Sequence, residues 1–513
     1  MPSEPFAGTS NSQVPQLVDR DDERKELSAL IQRGRPVIAL LTGRRRIGKT
    51  YLLAHAWPPE QIFLFTAART TPELNRQQLL LDFAAWSQDA IRVEDYPTWR
   101  TAFRLLADVA TRRATSEPAR PTVVVLDEFQ YLADGETGVA EVASELNAVW
   151  ETLERGPGAP AREAGTTCPI LLVLSGSAVA TMEALARGGG PLHGRFAWQH
   201  KLQPFNYWYA AELAPFAALR DRALVYGLFG GTPRYLAAVD PSRSVARNAT
   251  DLLLSPRGEI RQLIDTALDQ EEGLRDVSKY RAILRAVADG RTQRNEISQG
   301  AGLTNDNALR EKLTTLIALG YLEQRRNVDA KANAAVRYAI ADAAFRFHNR
   351  FVAPNASMLE RYPADRVWDT AVAPYLDAYM GFELERIAVQ AYDRRALAAG
   401  LPMVARWDRW EGADRERRPL EIDIIASLAD GRTMTGAVKW ERAPTGAGVH
   451  YAHLAMLRRA ADAGRAWAHA ALEPDAPLLY VAAGGFTAGF REAVETSGHP
   501  ATCWDLGDVY AVS

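Results

Sequence analysis

The sequence predicts an α/β protein built on a parallel sheet, with a small α+β unit and a second α/β unit behind it. Three observations carry that expectation. From Pro36 to about Pro204, short apolar runs rich in Val, Ile, Leu and Phe alternate with helical patterns, the mark of a parallel sheet covered by helices. Inside that stretch a glycine-bearing loop, GRRRIGKT, separates an apolar strand from a helix, and a later apolar run, VVVL, ends in Asp127 and Glu128. At 513 residues the chain is too long for one hydrophobic core, and a prior of one domain per ~150 residues gives two to four, of which three are recognisable.

The bulk properties narrow the class. Apolar residues make up 47% of the chain and charged residues 24%, the balance of a folded globular protein rather than a disordered or fibrous one. No run approaches the ~20 apolar residues that span a bilayer, and the opening MPSEPFAGTSNSQVPQ lacks a basic segment and an apolar signal core. A cytoplasmic protein without membrane partners is expected. Cys168 and Cys503 match no metal-ligand spacing and form no disulfide framework. The net charge of −3 gives no global pull toward nucleic acid, so such binding needs a local patch. Only seven of the 60 basic residues are lysines, and two of them, Lys49 and Lys439, stand where a compact ammonium suits phosphate or metal chemistry.

Taken in order, residues 1–16 are polar and aperiodic and read as a tail. Strands are expected at Val37 to Thr42, Ile62 to Thr66, Thr122 to Leu126, Ile170 to Ser175 and Phe196 to Leu202, with Gly156 to Thr167 a surface loop. The first domain is placed at 17–240. Residues 241–275 form a helical lid or linker. Over 276–345, helices at Tyr280 to Ala288, Arg294 to Gly300 and Asn305 to Leu319 precede a hairpin from Leu322 to Ile340, the order of a winged helix. Residues 346–513 make the last domain, with a long helix around Tyr375 to Tyr392 and strands at Leu420 to Ala426, Thr433 to Trp440 and Leu478 to Ala483.

GRRRIGKT fits the phosphate-loop pattern in its required context, after a strand (VIALLT) and before a helix (KTYLLAHAW). Gly43 and Gly48 free the backbone to turn its amides inward, with Arg44, Arg45, Arg46 and Ile47 between them and Tyr51 beyond. Lys49 reaches the terminal phosphates, and Thr50 places its hydroxyl on magnesium. Asp127, at a strand end, would hold the magnesium hydration shell, and Glu128 would activate water, which favours hydrolysis over transfer. ATP and Mg²⁺ are therefore the expected ligands. Ser175 and Ser177 are candidate sensors of the terminal phosphate, and Arg195 and Arg234 candidate cations for transition-state charge.

With LVDRDDERKEL, GRRRIGKT, VVVLDEFQYL, the SGS strand end, PLHGRF, LQPF and GGTPRYL, nearly the whole chain resembles the archaeal-type ATPases of the AAA-like, signal-transducing branch of P-loop proteins. The resemblance implies an additional-strand P-loop NTPase core, a winged helix and a C-terminal restriction-endonuclease-like, PD-(D/E)xK nuclease-like domain, with nucleotide state switching their arrangement. Val18, Asp19 and Arg20 stand where that family more often has Val-Gly-Arg.

In the winged-helix segment Leu309, Leu313, Leu316 and Ile317 form the expected buried stripe. Arg310 and Lys312 could meet phosphate and Asn305 and Asn307 base edges, while Asp306 and Glu311 oppose a DNA surface. Arg325, Arg326, Lys331 and Arg337 add charge on the wing. Double-stranded DNA is thus one candidate partner; the competing reading is an interaction module that packs on the ATPase core, and a protein partner or self-association stands beside it. In the last domain the resemblance assigns Glu385, Asp423 and Lys439 to the nuclease motif. Strand alternation puts Glu421 and Asp423 on one face. Ala437 stands where the motif has an acid, and Glu441 is the candidate replacement. Three functions follow: an ATP-dependent switch or slow ATPase, a DNA-binding regulator tuned by ATP, and an ATP-gated nuclease.

Overall fold

The computed structural model describes residues 18–116, 120–155, 170–271, 274–330 and 336–512. The expected tail 1–16, the loop Gly156 to Thr167, Cys168 and Lys331 lie outside the described residues. Two compact units divide between Leu202 and Gln203.

The first unit is an α/β layer structure around five strands, β1 (Val37–Thr42), β2 (Ile62–Thr66), β3 (Thr122–Asp127), β4 (Ile170–Gly176) and β5 (Phe196–Lys201). They lie in the order β2-β3-β4-β1-β5, and every pairing is parallel. Alternation divides each strand between two cores. Val37, Ala39 and Leu41 of β1 pack with the helices Asp21–Ile31 and Lys49–His55 through Leu27, Leu30, Leu52 and Leu53. Ile38 and Leu40 face the other way, onto Phe83, Phe103, Leu146 and Trp150 of the long helices Pro72–Ser87, Trp99–Ala114 and Gly135–Arg155. Because all strands run one way, the loop after β1 and the acids after β3 open on the same edge of the sheet.

The second unit begins earlier than the sequence pattern placed it, at Gln203 rather than 241. Residues 203–240 pack into it: the Tyr207 hydroxyl donates to the Val509 carbonyl at 2.8 Å, and the Gly227 carbonyl accepts from the Tyr379 hydroxyl at 2.9 Å. Gly231 permits a close chain crossing, since a Cβ there would lie 1.8 Å from the Phe205 carbonyl oxygen.

Helices Val277–Ala288, Arg294–Ala301 and Asn307–Ala318 follow, then β6 (Leu322–Arg325) and β7 (Arg337–Ile340), paired antiparallel. Leu309, Leu313 and Leu316 are buried as expected, whereas Ile317 is only partly so. The hairpin leans on the last sheet. Asn327 bridges to Arg409 and donates to the Glu411 carbonyl at 2.8 Å, and Trp410 Nε1 donates to Asp329 at 3.2 Å.

That last sheet has five strands, β8 (Val404–Ala413), β9 (Pro419–Leu428), β10 (Thr433–Lys439), β11 (Leu478–Ala482) and β12 (Ala501–Trp504), in the order β12-β11-β10-β9-β8. β8, β9 and β10 pair antiparallel; β10, β11 and β12 pair parallel. The helix Ala373–Arg395 precedes the sheet, and the helices Gly448–Asp462, Ala466–Ala471 and Ala488–Thr496 supply Leu457, Trp467 and Phe490 to its core. Among the described residues no helix is long and apolar enough to cross a membrane.

Candidate functional site

Glycine geometry shapes the loop between β1 and the helix Lys49–His55. Gly43 has φ +148°, and a Cβ there would meet Ile47 Cδ1 at 2.4 Å and the Leu202 carbonyl oxygen at 2.9 Å. Gly48, with φ 91°, caps the helix start, where free amides and the helix dipole favour an anion. Lys49 is 5% exposed, and its Nζ donates to the carbonyls of Gly43 at 2.8 Å and Arg44 at 3.1 Å. The ammonium therefore lies folded into the loop.

Across the sheet edge, the Thr50 hydroxyl donates to Asp127 Oδ2 at 2.5 Å. The sheet explains the meeting. Asp127 ends β3 on the face shared by Val123 and Val125, the face covered by the helix of Thr50. Between them runs β4, whose Ser175 pairs with Leu41 and whose Leu174 pairs with Leu126. Ser175 is fully buried, and its hydroxyl has no hydrogen-bond partner among the described residues. An orphaned buried hydroxyl beside a lysine and a carboxylate fits a site that takes a polar ligand.

Glu128 follows in the left-handed region, φ 52°, which is uncommon for a side chain with a Cβ and concentrates at functional sites. Its Oε2 accepts from the Ser177 hydroxyl at 2.7 Å, from the Ser177 amide at 3.3 Å and from Gln130. Burial pushes its carboxyl up, but the Ser177 bond, the Lys49 charge, the Gln130 bond and the Arg45 charge together hold it below the ordinary value. The loop residues diverge from there. Arg45 donates to the Tyr131 hydroxyl, which also accepts from Arg69 Nε at 2.8 Å. Arg46 takes φ 71°, Arg44 and Ile47 complete the turn, and Tyr51 lies 37% exposed with its ring 4.2 Å from that of His55.

The structure thus brings together Gly43, Gly48, Lys49, Thr50, Asp127, Glu128, Ser175 and Ser177. It does not bring Arg195 to them by any contact: that guanidinium donates to Asn147 at 2.9 Å and pairs with Glu151 and with Glu154 at 2.9 Å, all on the helix Gly135–Arg155. Arg234 pairs with Glu259 within the second unit. Sequence reasoning gave no role to Gln130 or Tyr131. Their signal was present in the run DEFQYL, where the turn Phe129–Leu132 returns both side chains toward the acids and the loop.

In the second unit Asp423 and Lys439 stand 3.9 Å apart, Oδ2 to Nζ. Asp423 Oδ2 also accepts from the Val438 amide at 3.0 Å. Glu385 shares a cavity wall with Asp423 and Glu421, and burial first, then the Asp423 charge, pushes its carboxyl up to about 8 against the opposing Arg409. Among the described residues no group of three or more His, Cys, Asp or Glu could hold a metal ion. Ala437 is buried in the apolar core. Glu441, the candidate replacement acid, lies beyond the end of β10 at Lys439.

The expected DNA face is altered too. Arg325 pairs with Glu323 at 2.6 Å and Arg337 with Glu411 at 3.2 Å, so these two hairpin arginines are engaged inside the unit, while Arg326 is exposed. Lys312 Nζ lies 5.5 Å from the centre of the Tyr280 ring, and Asp306 caps its own helix through the Leu309 amide at 3.0 Å. The module packs on the last sheet.

Residues 348–449 match a family, DUF234, described as archaea bacterial proteins of unknown function. An uncharacterized protein of Methanocaldococcus jannaschii, MJECL04, is 24% identical over 438 residues, 83% of this chain and 88% of that one. Among solved structures, the chain is similar to the Walker-type ATPase PABY2304 of Pyrococcus abyssi, with 19% identity, a TM-score of 0.45 and coverage of 65% of this chain and 96% of that one. It is similar also to the Aeropyrum pernix ORC2 protein in its ADPNP–ADP complexes, with 14% identity, a TM-score of 0.41 and coverage of 67% and 96%.

Proposed function

We propose that the chain is an ATP-binding protein, a magnesium-dependent ATPase that works as a nucleotide-controlled switch. One observation carries the reading: Thr50 and Asp127 meet at 2.5 Å directly beside a glycine-turned loop at a helix start. Those two oxygens, with the orphaned Ser175 hydroxyl nearby, are a donor set suited to magnesium and phosphate oxygens. When bound there, magnesium supplies positive charge that neutralises the phosphates.

The chain's own groups do the rest. The amides of Arg44 to Lys49 bind phosphate oxygens, and Lys49 leaves the Gly43 and Arg44 carbonyls to pair with the terminal phosphate. Ser175 turns its hydroxyl to that phosphate. Glu128 orients the attacking water and accepts its proton at the carboxylate once Ser177 and Gln130 yield. Lys49→Ala then abolishes nucleotide binding, and Glu128→Gln binds ATP but stalls.

The switch works on a winged helix and a degenerate nuclease-like domain. Support comes from the hairpin, two of whose arginines, Arg325 and Arg337, are held by Glu323 and Glu411, and from Ala437 in place of a motif acid. The deciding experiment is phosphate release by the purified protein, with and without duplex DNA, against a Lys49→Ala blank. Release above the blank is expected. Salt-sensitive duplex binding without turnover would instead favour the regulator reading, and no ATP binding at all would remove the proposal.

A further inference from the structure

The second unit holds a cavity of ≈ 380 Å³ that the nucleotide reading leaves unused. Its walls come from the end of the helix Val277–Ala288, from β7, from the turn His348–Val352 and from the helix Ala373–Arg395. The size falls in the range of small-molecule sites. Its chemistry is sorted: an apolar floor including Val287, Ile340 and Phe351, an aromatic rim, and arginine heads around both.

The rim is unusual for a surface. Tyr375 and Phe382 lie seven residues apart on one helix, hence on one face, and they are 57% and 60% exposed. Buried packing does not account for two large rings left open over one cavity. The charge points to an anion. Five arginines line the cavity against two carboxylates, Glu383 and Glu385. Arg346 is paired with Glu383 at 2.5 Å and Arg386 with Glu323 at 2.6 Å. Arg350 is exposed and has no carboxylate partner among the described residues.

We propose that this cavity receives one nucleotide unit, its base stacked on Phe382 or Tyr375 and its phosphate paired with the Arg350 fork. Flat rings on a rim suit a planar base, and a planar guanidinium suits a phosphate. A second cavity of ≈ 570 Å³ shares Arg325, Glu385, Arg386 and Arg409 with the first. A strand longer than one unit has adjoining space to follow, lined by arginines and by the carboxylates Glu323, Asp408, Glu421 and Asp423. The nucleotide is either free or part of a single strand, and the test separates the two.

The full chain carrying Lys49→Ala, which removes the phosphate-loop site, is titrated with dTMP by calorimetry and with a labelled oligothymidylate by fluorescence anisotropy. Phe382→Ala and Arg350→Ala are then added singly; both positions are exposed, so folding is not at stake, and circular dichroism verifies it. Each is expected to weaken binding roughly tenfold, with Arg350→Lys recovering part of the loss. Binding of dTMP and oligomer alike identifies a mononucleotide site, and binding of the oligomer alone a strand cleft; either supports the proposal. Absence of binding by both probes, or affinity indifferent to both substitutions, overturns it. Because Lys49 is already replaced, the result stands apart from the fate of the ATPase reading.

Discussion

Glu128 concentrates the chemistry of the first unit in one side chain. Its backbone occupies a left-handed conformation, and one carboxylate oxygen takes two donors from Ser177 and one from Gln130. A carboxylate so held is a weak base. Removing the serine hydroxyl in Ser177→Ala withdraws the second-largest influence on its proton affinity and leaves burial less opposed. The acid limb of kcat/KM against pH should therefore move to higher pH. A limb that stayed in place would mean that another group titrates. Ser175→Ala, by contrast, removes a hydroxyl that has no hydrogen-bond partner among the described residues. Its expected effect is on ATP turnover, with thermal stability unchanged or raised.

Among the elements, the hairpin and the long helix Ala373–Arg395 are joined by buried charge. Glu323 accepts from Arg386 at 2.6 Å and from Arg325 at 2.6 Å. Burial pushes its carboxyl up, but the charges of Arg386 and Arg325 win and draw it down to about 2. A carboxylate depressed in this way contributes stability that is present above its ordinary value of 4.5 and fades as pH falls toward 2. Denaturant midpoints of the protein and of Glu323→Gln should thus draw together as pH falls from about 5 to about 2. The pair of Glu383, 1% exposed, with Arg346 is deeper. Glu383→Ala leaves a buried guanidinium without its counter-charge, held only by the Ile340 and Ala341 carbonyls, and should cost about 3–5 kcal/mol in denaturant unfolding. At Gly436 the constraint is steric: a Cβ would lie 1.9 Å from the Leu479 carbonyl oxygen between β10 and β11. Gly436→Ala should lose about 1–3 kcal/mol or more on the same assay.

At the scale of the whole molecule, legibility followed burial. β1 to β4 are apolar except at their ends, so their runs stand out and their bounds fall within a residue or two of expectation. The loop Gly43 to Thr50 and the acids Asp127 and Glu128 were legible because phosphate chemistry constrains spacing. β8 was not. It is an edge strand whose sequence, VARWDRWEGA, has one fully buried residue, Trp410, so no alternation announces it. β12 is short and mostly unburied for the same reason. The boundary at Leu202 was missed because residues 203–240 contact partners such as Val509 that are remote in sequence. Since those contacts lie inside the second unit, a 203–513 fragment is expected to fold by itself, with a single cooperative thermal transition, whereas a 241–513 fragment should not.

The position of β1 also bears on how the protein is made. The strand that carries the phosphate loop is flanked by β4 and β5, the last two strands of its sheet. On the ribosome it emerges first and waits, apolar up to Thr42, until both neighbours have been synthesised. Non-local closure of this kind is slow. The nascent chain should therefore depend on chaperones that shield VIALLT, and translation halted before Ile170 should yield a polypeptide prone to aggregate.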